Sequence, residues 1–346
     1  MAKGKYSGYS RVVAVYKPVG MTSHDVVSRC RRIFGEKRVG HGGTLDPLAS
    51  GVLLVCIGPA TRLNPYLTDC DKSYRMGVLF GTSTTTDDSE GEILITASVS
   101  PNCKSIDFAQ SYIEGLVGDH SQVPPVYSAI KVNGQKSYAA ARKGNIIDLA
   151  PREFSIYSSK LNEVTVFDPG SIVATRCSEQ NPVEWDVEMA VSKGTYMRAI
   201  ARDIGKELHS AAHVSFLERT RIGNIALEEC VTLEELEKDF SHAVIDPLRL
   251  IGCRFAFLNE HEEKLSNGAS IPAHLVSLNY PVKDDMFDAE CCVSSVFPSK
   301  EEPENHELVA FLVRSKLKAL YRFDKEKNVY KPQCVFAIGV ERGSGI

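Results

Sequence analysis

Several features that would settle the class of a protein at once are missing from this 346-residue sequence. No run approaches the ~20 consecutive apolar residues that a bilayer-spanning helix needs. The opening Met1-Ala2-Lys3-Gly4-Lys5-Tyr6 has no apolar signal-peptide core. Cysteines stand at 30, 56, 70, 103, 177, 230, 253, 291, 292 and 334, but none forms a C-x-x-C pair and no His-x-His cluster accompanies them. Zinc-ligand spacing is therefore missing, and no metal is expected. Cys56 lies inside an apolar run, as a buried free thiol would, and the simplest reading is a reducing, cytoplasmic setting. No internal repeat is visible. Positive charge is not in excess, since 40 Lys+Arg stand against 44 Asp+Glu for a net of −4. By that sum alone the chain is not a polyanion binder.

The composition that is present, 43% hydrophobic and 24% charged, is ordinary for a globular protein. The length predicts two domains, or one large domain with an appendage. Charge is unevenly spread. Residues 1–62 carry ten Lys/Arg and three acids, a local net of +7, and residues 284–307 carry eight acids against Lys300 alone, a local net of −7. One end can meet a polyanion while the other is solvated.

The most informative stretch is Gly40-His41-Gly42-Gly43-Thr44-Leu45-Asp46-Pro47. Glycines permit backbone geometries and close approaches that side chains forbid, and Pro47 biases Asp46 toward an extended conformation. The pattern predicts one aspartate held still at the tip of a loop. Around it, Val12–Tyr16 reads as a buried strand ending at Lys17-Pro18. Ser23 is a candidate helix cap, with Val26, Val27, Cys30, Ile33 and Phe34 forming one apolar helical face. Val52–Ile57 is a fully apolar strand. Tyr74, Met76, Val78 and Phe80 alternate along a third, and Trp185, Val187, Met189 and Val191 along a fourth. Ile106, Ala109, Ile113 and Leu116 mark a helix. Gln122–Gly134, with its Pro124-Pro125 pair and Asn133-Gly134 turn, indicates an irregular projecting element, and Ser137–Lys143 a short helix after it. A helix with Ile200, Ile204 and Leu208 inward follows Ser192-Lys193-Gly194-Thr195-Tyr196, and Thr232 with Glu235 forms a capping box. Beyond about residue 251 the pattern changes to a short helix over Glu260–Leu265 and strands at Val309–Val313, Ala319–Phe323 and Val335–Val340. The mixed order of elements favours an α+β architecture over a doubly wound sheet.

Six segments in register resemble the TruB-type tRNA pseudouridine synthases. They are Lys17-Pro18-x-Gly20-x-Thr22-Ser23, Gly40-His41-x-Gly43-x-Leu45-Asp46-Pro47-x-Ala49-x-Gly51, Asp71-Lys72-x-Tyr74, Gln122-Val123-Pro124-Pro125-x-Tyr127-Ser128-Ala129, Ser192-Lys193-Gly194-Thr195-Tyr196-x-Arg198 and Ala212-His213-x-x-x-Leu217-x-Arg219. The resemblance runs from residue 11 to about 235. Gly42 departs from it, because family members commonly carry a bulkier residue there, and the expectation is a slightly looser loop. Residues 251–346 resemble, more weakly, the PUA-like RNA-binding domain of many family members, with an acidic insertion at about 276–307.

The resemblance implies a catalytic domain over 1–250, built on a mixed, largely antiparallel sheet with an RNA-clamping element at about 100–150. It implies isomerisation of uridine-55 in the tRNA T-loop to pseudouridine, with the base flipped out of its stack and no guide RNA. No redox change occurs, so no cofactor is required. Asp46 takes the role of nucleophile or charge stabiliser, with Arg198 as its positive partner. Tyr74 stacks on the base or accepts a proton, and Tyr196 and Leu217 line the uracil site. His41 packs against displaced nucleotides. Phosphate contacts are expected from Arg29, Arg31, Arg32, Lys37 and Arg38 and, on the projecting element, from Lys131, Lys136, Arg142 and Lys143. Lys17 either contacts RNA or supports the active loop. The partner is the tRNA T-arm, and a monomer suits the family. Two other readings carry the same residues: a guide-dependent synthase in a ribonucleoprotein, and a tRNA-folding helper whose role does not depend on catalysis.

Overall fold

The computed structural model describes residues 7–128, 131–132, 135–136, 149–168, 170–171, 182–240, 243–280 and 298–343. The expected helix over Ser137–Lys143, the side chains of Lys131 and Lys136, Arg142 itself and the centre of the acidic insertion lie outside the described residues. The chain divides into two compact units. One contains Met1–Pro47, Gly51–Cys70 and Gly223–Ile346, and the other Leu48–Ser50 and Asp71–Ile222.

In the first unit the Arg11–Lys17 strand runs antiparallel to Ser50–Ile57, from Arg11 opposite Ile57 to Lys17 opposite Gly51. Val244–Ile245 pairs with its other edge, and Val39–His41 pairs with the Ile57 end of the neighbouring strand. Every residue of Ser50–Ile57 is buried, as its unbroken apolar run predicts. The Ser23–Phe34 helix lays Val26, Val27, Cys30 and Phe34 against Val13, Val15, Leu53 and Val55. Each such side chain contributes about 1.5–3 kcal/mol by leaving water. The helix cap is Thr22 and not Ser23: Thr22 Oγ1 accepts from the Asp25 amide (3.1 Å), and the Asp25 carboxylate accepts from the Thr22 amide (2.9 Å). Ser23 is thereby released for another task.

The same unit contains a five-stranded sheet in the order Arg254–Phe257, Leu308–Val313, Lys316–Asp324, Val329–Val340, Ile271–Pro272. The first pair is parallel and the others antiparallel. Phe311, Tyr321, Phe323 and Tyr330 form its aromatic core. The three expected strands are present and longer. Arg254–Phe257 and Ile271–Pro272 are added, each too short to show a period. Arg254 Nε and Nη2 both donate to the Glu307 carboxylate, and its Nη1 to the Glu301 carbonyl, which anchors the C-terminal end of the acidic stretch.

The second unit is an antiparallel sheet in the order Ala212–Ile222, Lys72–Phe80, Val183–Val191, Arg152–Val166, Gly118–Gln122. The Met197–Glu207 helix packs on Ala212–Ile222. Trp185 is fully buried, with Phe80 in edge contact and its Nε1 donating to the Cys103 carbonyl at 2.7 Å. The Ile106–Glu114 helix buries Ala109 and Ile113 but leaves Ile106 60% exposed, contrary to the expected stripe, because Ile106 occupies the open first turn. Among the described residues no helix is long and apolar enough to cross a membrane. No cluster of His, Cys, Asp or Glu there could hold a metal ion. None of the seven described cysteines is in a disulfide. Burial pushes the Cys30 and Cys253 thiols up to about 12, so they stay protonated and act as small apolar groups.

Candidate active site

Asp46 lies in the first unit, half-buried, and both of its neighbours are pinned. On one side the Ser23 hydroxyl donates to the Leu45 carbonyl (2.9 Å) and accepts from the Leu45 amide (2.8 Å). On the other, the Pro47 carbonyl accepts from the Gly20 amide at 2.8 Å and from Lys17 Nζ at 3.4 Å. Lys17 is fully buried, and its ammonium also donates to the carbonyls of Pro18 (2.8 Å) and Met21 (2.6 Å). It supports the loop from within, in a place closed to solvent. Gly43, at φ 129°, takes a backbone conformation that L side chains rarely adopt. Gly42 is explained by space. A Cβ built there would stand 2.5 Å from Leu67 Cβ, and the Gly42 amide donates to the Leu54 carbonyl at 2.9 Å. The volume that a bulkier residue would fill is occupied by Leu67, so the expected loosening does not follow. His41, half-buried, sits opposite Val55 at the edge of the sheet that carries the loop.

Tyr74, Leu217, Tyr196 and Arg198 lie in the second unit. Tyr74 is 8% exposed on the Lys72–Phe80 strand, opposite Met189 on one side and Arg219 on the other. Leu217, 7% exposed, stands opposite Met76 on the Ala212–Ile222 strand. Cross-strand pairing of this kind brings side chains within contact distance, so Tyr74, Met76, Leu217 and Arg219 are brought together. Tyr196 is the residue before the Met197–Glu207 helix, and its amide donates to Gln122 Oε1 at 3.0 Å.

Arg198 is buried in the first turn of that helix. Nη1 donates to the Thr86 carbonyl (2.7 Å) and Nη2 to the Tyr127 carbonyl (3.0 Å), and Asp88 Oδ2 lies 3.6 Å from Nη1. Asp88 is itself buried. Its carboxylate accepts from Thr86 Oγ1 (2.5 Å) and from the Glu90 amide (3.1 Å). Two opposite charges buried together hold each other in place, and loss of either leaves the other costly. Asp88 and the buried Arg219 were not singled out from the sequence. Arg219 closes the Leu217-x-Arg219 motif, and Asp88 lies in a polar turn-rich stretch that offers no periodic signal. His213 of the neighbouring motif is buried and pulled down by desolvation, so it stays neutral, its Nδ1 donating to the Thr82 carbonyl at 2.9 Å.

The basic residues expected to contact phosphates differ in what they already touch. Arg29 lies 2.8 Å from Glu234 and 3.2 Å from Glu237. Arg31 donates to the carbonyls of Lys37 and Val39. Arg32, Lys37 and Arg38 are exposed. The first unit supplies a carboxylate on a loop pinned at both sides, and the second a buried tyrosine beside apolar side chains and a buried guanidinium network. The carboxylate suits nucleophilic or charge-stabilising work, and the tyrosine with its apolar neighbours suits a flat, uncharged ring.

Residues 31–197 match the family described as TruB family pseudouridylate synthase (N terminal domain), and residues 198–248 match the tRNA pseudouridylate synthase B C-terminal domain. A tRNA pseudouridine synthase B of Mycobacteroides abscessus is 48% identical over 65% of this chain and 71% of its own length. The enzyme of the same name from Geobacillus thermodenitrificans is 39% identical over 78% of this chain and 89% of its own. The chain belongs to the TruB family of pseudouridylate synthases and is an isomerase. The fold is shared with the chain from an H/ACA RNP bound to a substrate RNA containing 2′-deoxyuridine (TM-score 0.64, 19% identity, 95% of this chain and 85% of that one). It is shared too with one from a Cbf5–Nop10–Gar1 complex (TM-score 0.61, 21% identity, 96% and 86%).

Proposed function

We propose that this enzyme converts uridine-55 in the T-loop of tRNA to pseudouridine, alone and without a guide RNA, as a cytoplasmic monomer. The observation that carries this reading is the Asp46 loop, in which Ser23 brackets Leu45 while Gly20 and Lys17 bracket Pro47. The relatives named for action on tRNA support the substrate class. The likeness to the chains of the H/ACA RNP and the Cbf5–Nop10–Gar1 complex extends to fold alone, at 19–21% identity.

In the proposed reaction the N1–C1′ bond of uridine breaks, the uracil turns, and a C5–C1′ bond forms. C5 loses its proton and N1 gains one, so the product is an isomer and no electrons are exchanged. Asp46 supplies the carboxylate near C1′ and C6. Tyr74 stacks on the extruded base or accepts a proton, and Tyr196 and Leu217 border the ring. Arg198 is the positive partner of the reacting carboxylate, and Asp88 keeps Arg198 in place. His41 packs against nucleotides displaced when the base is flipped. Arg32, Lys37, Arg38 and the projecting element, with Lys131 and Arg142, meet phosphates. Residues 251–346 add a PUA-like RNA-binding surface.

The test is to incubate the purified protein with an unmodified T-arm hairpin and map pseudouridine. Conversion at position 55 without added RNA is expected. Asp46→Asn should abolish conversion while tRNA affinity and folding persist. Full activity in Asp46→Ala would sink the assignment.

A further inference from the structure

Arg198 has a companion one helical turn further on. Arg202, with its side chain 16% exposed, places Nη1 3.3 Å from Asp87 Oδ2 and donates from Nη2 to the Val123 carbonyl at 2.9 Å. Its Nε also donates to Asp203 Oδ1 at 2.8 Å. Asp87 adjoins Asp88 and holds a left-handed φ of 59° on the same tight turn. Arg198 and Arg202 therefore each reach the same two segments: the turn at Thr86–Asp88 and the stretch from Gln122 to Ser128. With the Tyr196 amide on Gln122 Oε1, that stretch is tied to the helix region at Gln122, Val123 and Tyr127. The Val123 side chain is 42% exposed, so burial does little to fix this residue and its carbonyl bond does more. Directly beyond lies the Lys131–Val132/Gln135–Lys136 hairpin and the basic sequence Arg142-Lys143. A planar guanidinium presents its donors in a rigid fork, whereas an ammonium is a compact point charge with rotatable donors.

We propose that Arg202 is a positioning residue for RNA binding: through Asp87 and the Val123 carbonyl it fixes the Gln122–Ser128 stretch, which leads into the Lys131–Val132/Gln135–Lys136 hairpin, against the helix that carries Arg198. The proposal rests on the tRNA reading above. Its signature is a separation of binding from chemistry. Arg198 acts on the reaction, whereas Arg202 sets how the next segment is presented to the RNA.

The experiment measures single-turnover conversion and direct binding of a T-arm hairpin for wild type, Arg202→Gln, Arg202→Lys, Asp87→Asn and the Arg202→Gln/Asp87→Asn double variant, with melting temperatures. For Arg202→Gln the half-saturating concentration and the dissociation constant should rise about tenfold, as for a lost charge-assisted contact, with the saturating rate within about twofold. Arg202→Lys, which keeps the charge without the fork, should recover part of the loss. The double variant should be no weaker than Arg202→Gln, because the two residues act as one unit. Unchanged binding in folded Arg202→Gln protein overturns the proposal, and so does a lowered saturating rate with unchanged binding. Asp87→Asn, which keeps the acceptor and the shape, decides the matter in the same way if Arg202→Gln does not fold. If wild type binds the hairpin but leaves its uridine unconverted, the tRNA-55 reading fails, and the binding constants still judge Arg202.

Discussion

Asp46 and Arg198 are both immobilised, by means that differ in range and in kind. The partners that hold the Asp46 loop lie close in sequence: the Ser23 hydroxyl is 22 residues from Leu45, and Lys17 is 30 from Pro47. They act on backbone groups, so they fix the loop whatever side chain it carries. The partners of Arg198 lie 71 residues away at Tyr127 and 112 away at Thr86, and a buried carboxylate faces it. The first region is therefore a local device that folds with its own strand and helix. The second exists only when three distant segments have met, and it contains two buried charges whose desolvation is offset by each other. Among the residues that hold these two groups, damage should follow the same division: stability losses from the first region, and larger activity losses from the second.

After Asp46 itself, the largest expected effect comes from Asp88→Asn. The amide keeps the shape and can still accept from Thr86 and Glu90, but it removes the charge that faces Arg198. A fall in kcat of about a hundredfold, equivalent to about 2.7 kcal/mol of barrier, is expected with little change in tRNA affinity. Single-turnover kinetics on the T-arm hairpin check it. An unchanged kcat would show that the Thr86 and Tyr127 carbonyls suffice to hold Arg198, and the contrast between the two regions would collapse.

Lys17→Met comes next and probes the local device. Methionine matches the length of the stem but leaves the Pro18 and Met21 carbonyls buried without their donor. An unsatisfied buried acceptor costs about 1–3 kcal/mol, so urea unfolding should show a loss of that order. Activity should fall with it, because the Pro47 end of the loop is released. Wild-type stability in this variant would mean that the Gly20 amide alone holds Pro47.

These differences also explain what could be read in advance. The strands at Arg11–Lys17, Ser50–Ile57, Lys72–Phe80 and Val183–Val191 were legible because they are buried and alternate or run apolar. The Asp46 loop was legible because glycine, proline and aspartate have strong local preferences. The Arg152–Val166 strand, the longest among the described residues, was not: Ser158-Ser159-Lys160-Leu161-Asn162-Glu163 has no apolar period, and its extended form is fixed by pairing with Val183–Val191. Asp88 and Arg202 were missed for the same reason. Their meaning lies in partners 79 to 115 residues distant, which no spacing rule reaches. Ser23 illustrates a smaller failure. It was read as a cap from its residue type, yet Thr22 takes that place and Ser23 serves the Leu45 backbone.

Gly42 sharpens the comparison from the side of packing. Gly42→Ala puts a methyl 2.5 Å from Leu67 Cβ, and overpacking of this kind costs about 1–3 kcal/mol. In the background of Leu67→Gly, which removes that Cβ, the same substitution should cost far less, giving a coupling of opposite sign to the single effects in a double-mutant cycle. Additive costs would mean that the glycine is needed for the backbone and not for Leu67.

The smallest effect tests whether charge near the loop means contact with RNA. Arg29 and Arg32 lie on the same helix, three residues apart. Arg29 faces Glu234 and Glu237, while Arg32 is exposed and forms no ion pair among the described residues. A cation already neutralised at home releases few counterions when RNA binds. Arg29→Ala should therefore leave the dependence of log K on log salt unchanged, whereas Arg32→Ala should reduce its slope by about one unit, the contribution of one phosphate. Titrations of the T-arm hairpin at several salt concentrations give both slopes. If Arg29→Ala lowers the slope as much as Arg32→Ala, Arg29 must exchange its acidic partners for phosphate on binding. The Glu234–Glu237 pair would then act as a place-holder for the RNA backbone, and removing those two carboxylates should strengthen binding at low salt.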